Sequence, residues 1–259
     1  MKSISTALCC SALLAVADAH WIFDRIVYEN KWTQPYEYVR EVSPANVNND
    51  LALIYPNTDP DSVDLRCGRN ATLGWSQPKT APLNAGDSLG FIVNLASVAH
   101  GRMYHPGFAS AWLSKAPSDD LNSYLGDGDW FKIMSVTGRT AQSFNTSNPA
   151  LKYDDSKVMW GAYNSDSWNF TIPATTPPGK YLVRFEYIFP NVDDAQFYLG
   201  CAHIDVKNSG TVGTPGPLVK IPGVYKRGQP DVYFSSYDYY LSSKHIEDFV
   251  APYPPVWQG

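Results

Sequence analysis

Residues 181–189, YLVRFEYIF, and residues 195–206, AQFYLGCAHIDV, form the stretch that decides the fold. Both runs are rich in β-branched and aromatic residues and are separated by a short polar segment, which is typical of two neighbouring strands. Side chains alternate between two faces along a strand, so Gln196 and Tyr198 share one face. The opposite face carries Phe197, Leu199 and Cys201.

The first of these two strands carries charges on one of its faces. Arg184 and Glu186 share a face, and Phe185 and Tyr187 lie on the other. Two charges on an inward face would need each other, since an isolated buried charge is costly. The alternation therefore predicts a buried ion pair with a structural role.

Elsewhere the chain is divided into short runs by 20 prolines and 18 glycines, and no long helical periodicity survives. Residues 87–95 (DSLGFIVNL) and 168–172 read as further strands, and residues 118–125 as a brief helix. Short strands with turn residues between them favour an all-β fold, an immunoglobulin/fibronectin-III-like antiparallel β-sandwich with long loops.

The N-terminus has the pattern of a secretory signal peptide. Lys2 is followed by the apolar residues 7–17 and by Ala17-Asp18-Ala19, a small-residue cleavage site. We therefore expect residues 1–19 to be removed, and residues 20–259 to form one secreted domain with no linker or binding module. No later apolar run is long enough to span a bilayer.

The charge balance argues against two classes of partner. The formal net charge is −5 at pH 7, which gives no basic surface for nucleic acid or for an anionic membrane. The chain has 17 tyrosines and 8 tryptophans, enough for a sheet core and for a face that stacks on sugars. We expect a monomer.

Export to an oxidising compartment also bears on the cysteines and on glycosylation. Cys9 and Cys10 lie in the signal peptide, so Cys67 and Cys201 remain to form one disulfide. It would close a long loop and stabilise the fold by about 4–5 kcal/mol on the chain-entropy account. Three sequons predict N-glycosylation at Asn70, Asn145 and Asn169.

Cleavage after Ala19 would make His20 the first residue, with a free α-amino group beside its imidazole. These two nitrogens form a bidentate chelate that needs no help from the fold. A histidine delivered by the fold would complete a three-nitrogen site, and such neutral nitrogen ligands suit copper, whose divalent ion has the highest first-row affinity. The sequence thus predicts a secreted copper protein.

Motifs along the chain carry a family resemblance. Residues 105–115, HPGFASAWLSK, are similar to the segment H-x-G-P-x-x-x-Y-L-A-K of fungal lytic polysaccharide monooxygenases, auxiliary activity family nine, formerly glycoside hydrolase family 61. Further similar segments follow in the same order: WFKI at 130–133, PPGKYLVR at 177–184, AQFYLGC at 195–201, PGVY at 222–225 and PPVW at 254–257. The spacing of Gly107 and Lys115 favours His105 over the nearby His100 as the matching histidine.

The resemblance implies one copper ion in a histidine brace. His20 would bind it through the amine and Nδ1, and His105 through Nε2. Tyr198 would take a distant axial position, and Gln196 would hydrogen-bond to the oxygen co-substrate. The implied activity is oxidative cleavage of β-1,4-glucan at C1 or C4, on cellulose first and hemicellulose second. Its implied partners are a polysaccharide surface, O₂ or H₂O₂ and an external electron donor.

One position departs from the family pattern. Where the family has R-H-E-x-x-A-L-H, this chain reads RFEYIFPN, so Asn191 replaces the final histidine, a donor near the oxygen site. Asparagine donates a hydrogen bond but cannot deliver a proton as imidazolium does. The alternative function is therefore a copper- and carbohydrate-binding protein with weak or lost oxidative activity. A hydrolytic glycosidase would need two placed carboxylates, and no acidic pair stands out.

Two aromatic residues near the C-terminus have two interpretations. Phe249 and Tyr253 lie where family members carry a flat tyrosine that faces the substrate. The first interpretation makes them substrate-binding residues. The second makes them loop aromatics that pack on the edge of the sandwich, and the sequence does not choose between these interpretations.

Overall fold

The computed structural model describes residues 20–43, 53–72, 76–94, 101–144, 160–240 and 244–259, with only the main chain of Tyr240. The predicted signal peptide, His100 and the sequon residue Asn145 lie outside the described residues, as does the end of the predicted strand 87–95. In the described parts of the chain, no helix is both long enough and apolar enough to cross a membrane.

In the described residues, nine strands, numbered in chain order, form two sheets. One sheet contains β1 (Phe23–Tyr28), β2 (Lys31–Trp32), β4 (Ser88–Val93) and β7 (Ser167–Thr171), in the order β2-β1-β4-β7. The other contains β3 (Ala81–Asn84), β5 (Phe108–Lys115), β6 (Phe131–Val136), β8 (Gly179–Phe189) and β9 (Gln196–Lys207), in the order β3-β9-β8-β5-β6. All pairs of neighbouring strands are antiparallel except β3 and β9, which are parallel.

Helical structure is limited to short turns. The described residues contain one helical turn, α1 (Tyr237–Tyr240), and 3₁₀ turns at Val63–Leu65, Ala141–Phe144 and Ile246–Asp248. The predicted all-β, immunoglobulin-like sandwich is therefore confirmed, and the four predicted strands correspond to β4, β7, β8 and β9 within one or two residues at each described end.

The brief helix predicted at residues 118–125 is wrong, because this segment forms turns. The buried guanidinium of Arg40 donates to the main-chain oxygens of Leu121 and Tyr124, at 2.6 and 2.7 Å. The Asp120 side chain accepts from the amide of Asn122. Side-chain bonds to the main chain thus replace the bonds that a helix would make.

The core between the sheets is built on the inward face of β8 and β9. Phe185 lies at its centre, with ring centroids 4.9 Å from Phe23 of the opposite sheet and 5.5 Å from Phe91. Tyr187 pairs with Tyr198 in the β8–β9 register. Both tyrosines belong to this core, so the inward face stays aromatic up to the rim of the sandwich.

The predicted buried ion pair is present, but it lies on the face of β8 that points away from the core between the sheets and not on an inward face. Arg184 and Glu186 form a salt bridge in which both side chains are fully buried. Glu186 also accepts from Ser110 Oγ and Tyr225 Oη, at 3.0 and 2.6 Å. Burial alone would raise the pKa of Glu186, but Arg184 and these hydrogen bonds hold it below its usual value. The carboxylate therefore stays ionised and joins three elements.

Two further links attach loops to the same face. Arg184 Nε donates to the main-chain oxygens of Leu65 and Arg66, at 3.1 and 2.9 Å. Next to them, Cys67 and Cys201 form the predicted disulfide. The loop that contains residues 63–67 is thus held on the sheet by a covalent bond and by a buried cation.

A second buried cation has a neutral acceptor. Arg40 Nε donates to Nε2 of His203 at 2.8 Å, and both side chains are almost completely buried. Burial, with the charge of Arg40, lowers the pKa of His203 to about 3. Burial likewise lowers the pKa of Arg40 to about 10, so at neutral pH a charged Arg40 faces an uncharged imidazole.

We predict that His203 makes the fold sensitive to acid. Its pKa is about 3 when folded and about 6.5 when unfolded, so the unfolded chain binds the extra proton as the pH falls through this window. From pH 7 to pH 5 this coupling lowers the free energy of unfolding by about 2 kcal/mol. Chemical denaturation of metal-free protein at both pH values measures it.

The matched variants are His203→Gln and His245→Gln, the latter at an exposed position. His203→Gln should lessen the loss of stability between pH 7 and pH 5, while His245→Gln should leave it as in the parent. If His203→Gln loses as much stability between pH 7 and pH 5 as the parent, other groups carry the acid sensitivity.

Candidate metal centre

His20 and His105 are brought together by strands of different sheets. His20 lies just before β1 of the four-stranded sheet, and His105 lies just before β5 of the five-stranded sheet. Their ring centroids are 5.9 Å apart. The two histidines are 85 positions apart in the chain, so the packing of the two sheets creates this pair at the rim of the sandwich.

The surroundings of His105 fix its ring in an uncharged state. Tyr187 Oη donates to the main-chain oxygen of His105 at 2.6 Å, and the ring of Phe189 stacks on the imidazole at 4.4 Å. Burial, with the neighbouring His20, lowers the pKa of His105 to about 4. Its Nε2 is buried and has no hydrogen-bond partner among the described residues. The His105 ring thus lies 5.9 Å from that of His20 and carries a buried nitrogen that no described residue engages.

Tyr198 lies beside both histidines. Its ring centroid is 6.3 Å from that of His20 and 6.1 Å from that of His105. Its hydroxyl donates to Gln196 Oε1 at 2.6 Å. Burial raises the pKa of Tyr198 well above its usual value, so the phenol keeps its proton. The face shared by Gln196 and Tyr198, predicted from alternation, therefore points at the histidine pair.

The donor set fits copper. The described residues hold no group of three His, Cys, Asp or Glu side chains that could bind a metal ion. The predicted third nitrogen beside these imidazoles is the α-amine that cleavage after Ala19 would free. Buried, uncharged imidazole with an unused Nε2 is the form that binds a metal. The observation that supports the fit is this unpaired buried nitrogen facing a second histidine.

Asn191 lies outside this cluster, in the turn between β8 and β9. Its side chain is exposed, and its Oδ1 accepts from the amide of Val192 at 2.8 Å. The residue that contacts the His105 ring from this side is Phe189, the last residue of β8. A role of Asn191 in oxygen chemistry stays a prediction.

Three exposed tyrosines lie around the histidines, although no sequence motif predicts them there. Tyr55 meets the His20 ring edge-on at 5.5 Å and is 45% exposed. Tyr104 precedes His105 and is 38% exposed. Tyr237 is 46% exposed and contacts Phe189, with ring centroids 6.1 Å apart. Tyr104 is next to His105 in the chain, but Tyr55 and Tyr237 come from distant segments that only the fold brings close.

The structure separates the two C-terminal candidates for substrate binding. Phe249 is half-buried in an aromatic cluster with Phe108, Trp160, Phe234 and Tyr239. Tyr253 is 61% exposed and borders a cavity with Lys132 and Asp231. The geometry of Phe249 favours packing, and its role in substrate binding stays a prediction.

Two of the predicted glycosylation sites lie on the described surface. Asn70 is exposed in a turn, and its Nδ2 donates to Ser43 Oγ at 2.6 Å. Asn169 is exposed on the edge strand β7. Both residues are exposed, and the modification stays a prediction.

Comparison with known proteins gives a consistent picture. The family model of Auxiliary Activity family 9 (formerly GH61) matches residues 20–245. AA9 family lytic polysaccharide monooxygenase D of Aspergillus tamarii is 35% identical over 257 residues, which cover 97% of this chain and 86% of that protein. AA9 family lytic polysaccharide monooxygenase A of Aspergillus fumigatus is 36% identical over 255 residues, which cover 96% of this chain and 80% of that protein.

Solved structures agree in fold. A cellulose-active polysaccharide monooxygenase from M. thermophila is similar with a TM-score of 0.61 at 25% identity, covering 93% of this chain and all of that one. Cel61B from Hypocrea jecorina is similar with a TM-score of 0.66 at 19% identity, covering 92% of this chain and all of that one. The second likeness concerns the fold alone.

We predict that the chain beginning at His20 binds Cu(II) tightly and gains stability from it. A ligand at 1,000 times its dissociation constant stabilises a protein by about 4 kcal/mol, so the unfolding temperature should rise by several degrees. Calorimetric scans of chelator-treated protein, with and without one equivalent of Cu(II), measure the shift.

Two changes should abolish most of this shift. His105→Ala removes the imidazole ligand, and one alanine added before His20 removes the free amine from its chelating position. His245→Gln is the matched control and should retain the full shift. A full shift in both altered proteins would place copper elsewhere.

Proposed function

The chain belongs to Auxiliary Activity family 9 and is a copper-dependent polysaccharide monooxygenase, and from this premise we propose that it cleaves β-1,4-glucan oxidatively at C1 or C4. Cellulose is the first proposed substrate and hemicellulose the second. The observation that carries the proposal is the apposition of His20 and His105 beside Tyr198, with a buried unpaired Nε2.

We propose that His20 and His105 hold one copper ion, through the amine and Nδ1 of His20 and Nε2 of His105. When bound, copper supplies the one-electron chemistry that activates O₂ or H₂O₂ against a carbon–hydrogen bond of the sugar. The electrons come from an external donor. The buried, uncharged His105 can serve either oxidation state of the metal, because neutral imidazole nitrogen suits both Cu(I) and Cu(II).

Tyr198 and Gln196 have separate roles beside the ligands. The phenol of Tyr198 is protonated and held by its bond to Gln196 Oε1, so beside a copper ion held by His20 and His105 it would add no negative charge. The same bond orients the amide of Gln196 and leaves its Nε2 as a hydrogen-bond donor. We propose that this donor holds the oxygen co-substrate near the sugar.

The substrate would lie across the rim at which the two histidines meet. Three exposed tyrosines lie near it: Tyr55 contacts His20, Tyr104 precedes His105, and Tyr237 contacts Phe189. Aromatic rings stack on the apolar faces of sugars, and three of them spread along a rim suit an extended chain. The net charge of −5 gives no competing attraction to anionic polymers.

The proposed copper site also bears on how the chain is processed and where the protein acts. Only removal of residues 1–19 frees the amine of His20, so we propose that cleavage after Ala19 both accompanies secretion and completes the ligand set. Export also agrees with the disulfide between Cys67 and Cys201. The active form would be a secreted monomer.

We predict oxidised oligosaccharides as products. The processed, copper-loaded protein is incubated with ascorbate and amorphous cellulose, and products are identified by mass spectrometry. Aldonic acids indicate attack at C1, and 4-keto sugars indicate attack at C4. His105→Ala should lose both, since its copper site is incomplete.

The alternative function is decided by the same assay. Tight copper binding without oxidised products from cellulose, xyloglucan or xylan would identify a copper- and carbohydrate-binding protein. Asn191→His would then test the cause, and recovery of oxidised products would assign the loss to that position. Chain cleavage that survives removal of copper would instead indicate hydrolysis.

A separate prediction concerns the substrate face. Tyr55→Ala should weaken binding of the metal-free protein to amorphous cellulose about twofold to tenfold, the effect expected of one aromatic contact. Depletion of protein from solution by the polymer measures this. Trp32→Ala is the matched control, because Trp32 is similarly exposed, at 44%, on β2.

Tyr253→Ala tests the candidate from the sequence on the same scale. A larger effect at Tyr253 than at Tyr55 would move the substrate face toward the C-terminal segment. Equal, full binding by both variants would contradict aromatic stacking at either place.

A further inference from the structure

The residue that follows the first histidine is inserted into the site. Trp21 is 1% exposed, and its indole stacks on the ring of Tyr198 with centroids 3.7 Å apart and planes 7° apart. It meets Tyr187 edge-on at 5.5 Å and lies 5.8 Å from the ring of His105. Trp21 thus lies against the proposed copper ligand His105 and against Tyr198 and Tyr187 beside it.

We propose that Trp21 is a positioning residue that anchors the processed N-terminus and so holds the amine and ring of His20 in place against His105 and Tyr198. This inference rests on the proposed function, because it concerns the proposed ligand set. It assigns to Trp21 a role in preorganising the site, separate from its contribution to the core.

The need for an anchor follows from the position of His20 in the chain. Chain ends fray unless something ties them down. β1 begins at Phe23, and the main-chain oxygen of Ile22 accepts from the amide of Asn94 at 2.9 Å. After processing, two of the three ligand nitrogens belong to the residue at the free end, two positions ahead of this bond. Trp21 is the link between them.

The alternation of β1 explains how the anchor works. Trp21 and Phe23 point into the core between the sheets, and Ile22 lies in the outer cluster. Phe23 packs on Phe185 at 4.9 Å, so Trp21 occupies the next inward position toward the rim. With Trp21 inserted, the preceding residue is directed to the surface beside His105. Because Trp21 directly follows His20 in the chain, its insertion into the core places the amine and ring of His20 beside His105.

The indole also carries a cost that core packing alone does not explain. Trp21 Nε1 is buried and has no hydrogen-bond partner among the described residues. An unsatisfied buried N–H is unfavourable, and phenylalanine at this position would avoid it. The two-ring side chain instead offers a larger face to Tyr198. This agrees with a role in holding Tyr198 and His20 together.

The test uses processed protein that begins at His20, with Trp21→Ala, Trp21→Phe and a control, Phe170→Ala. Phe170 is 6% exposed in the same core, on edge strand β7, and has no contact with the histidines among the described ring contacts. Three readouts are measured: Cu(II) affinity by competition calorimetry, the Cu(II) electron paramagnetic resonance spectrum, and amide exchange near the N-terminus of the metal-free protein.

We expect Trp21→Ala to bind Cu(II) about twofold to tenfold more weakly, to change the Cu(II) spectrum and to exchange faster at its first amides. Trp21→Phe should recover most of the affinity and the parental spectrum, because it keeps a ring against Tyr198. Phe170→Ala should lose stability while keeping the parental affinity and spectrum.

Parental affinity and spectrum in Trp21→Ala would overturn the proposal. So would equal changes in Trp21→Ala and Phe170→Ala, since general destabilisation would then explain both. If Trp21→Ala does not fold, Trp21→Leu, which keeps the volume more closely but has no ring to stack, takes its place. Failure of the proposed function is a different outcome, in which the parent protein itself binds no copper.

Discussion

The antiparallel register of β8 and β9 is the constraint on which the rest of the structure depends. It aligns Tyr187 with Tyr198 and Phe189 with Gln196 at one end of the pair. Because side chains alternate along each strand, the register places rings such as Phe185 and Tyr187 toward the core between the sheets and the ion pair of Arg184 and Glu186 on the other face. A shift of one strand by one residue would turn its side chains to the opposite faces.

Loops are attached to the outward face of β8 and β9. The buried pair of Arg184 and Glu186 and the disulfide from Cys201 hold residues 63–67 on the sheet. Breaking one partner of such a pair costs about 3–5 kcal/mol, because the other charge is left uncompensated. The ion pair and the disulfide that hold these loops therefore lie on the face of the sheet that is opposite the histidines.

The inward face ends at the rim as a continuous set of rings. Phe189 stacks on His105, and Trp21 stacks on Tyr198. Aromatic rings at these contacts exclude water and keep the His105 imidazole uncharged. The same residues that close the core thus also surround the histidines proposed to bind copper, so we expect stability and metal binding to be coupled at the rim.

Several features could be predicted from the sequence alone. Alternation with a period of two residues predicts the strands β8 and β9, the face shared by Gln196 and Tyr198 and the buried ion pair. The number of cysteines outside the signal peptide predicts the disulfide. The predicted helix at residues 118–125 was wrong because Arg40, distant in the chain, takes the carbonyls of that segment. Only the tertiary structure brought His20 to His105, Trp21 to Tyr198 and Tyr55 to the rim. These contacts join separate sheets and loops, and their distances come from sheet packing, which no spacing along a single strand encodes.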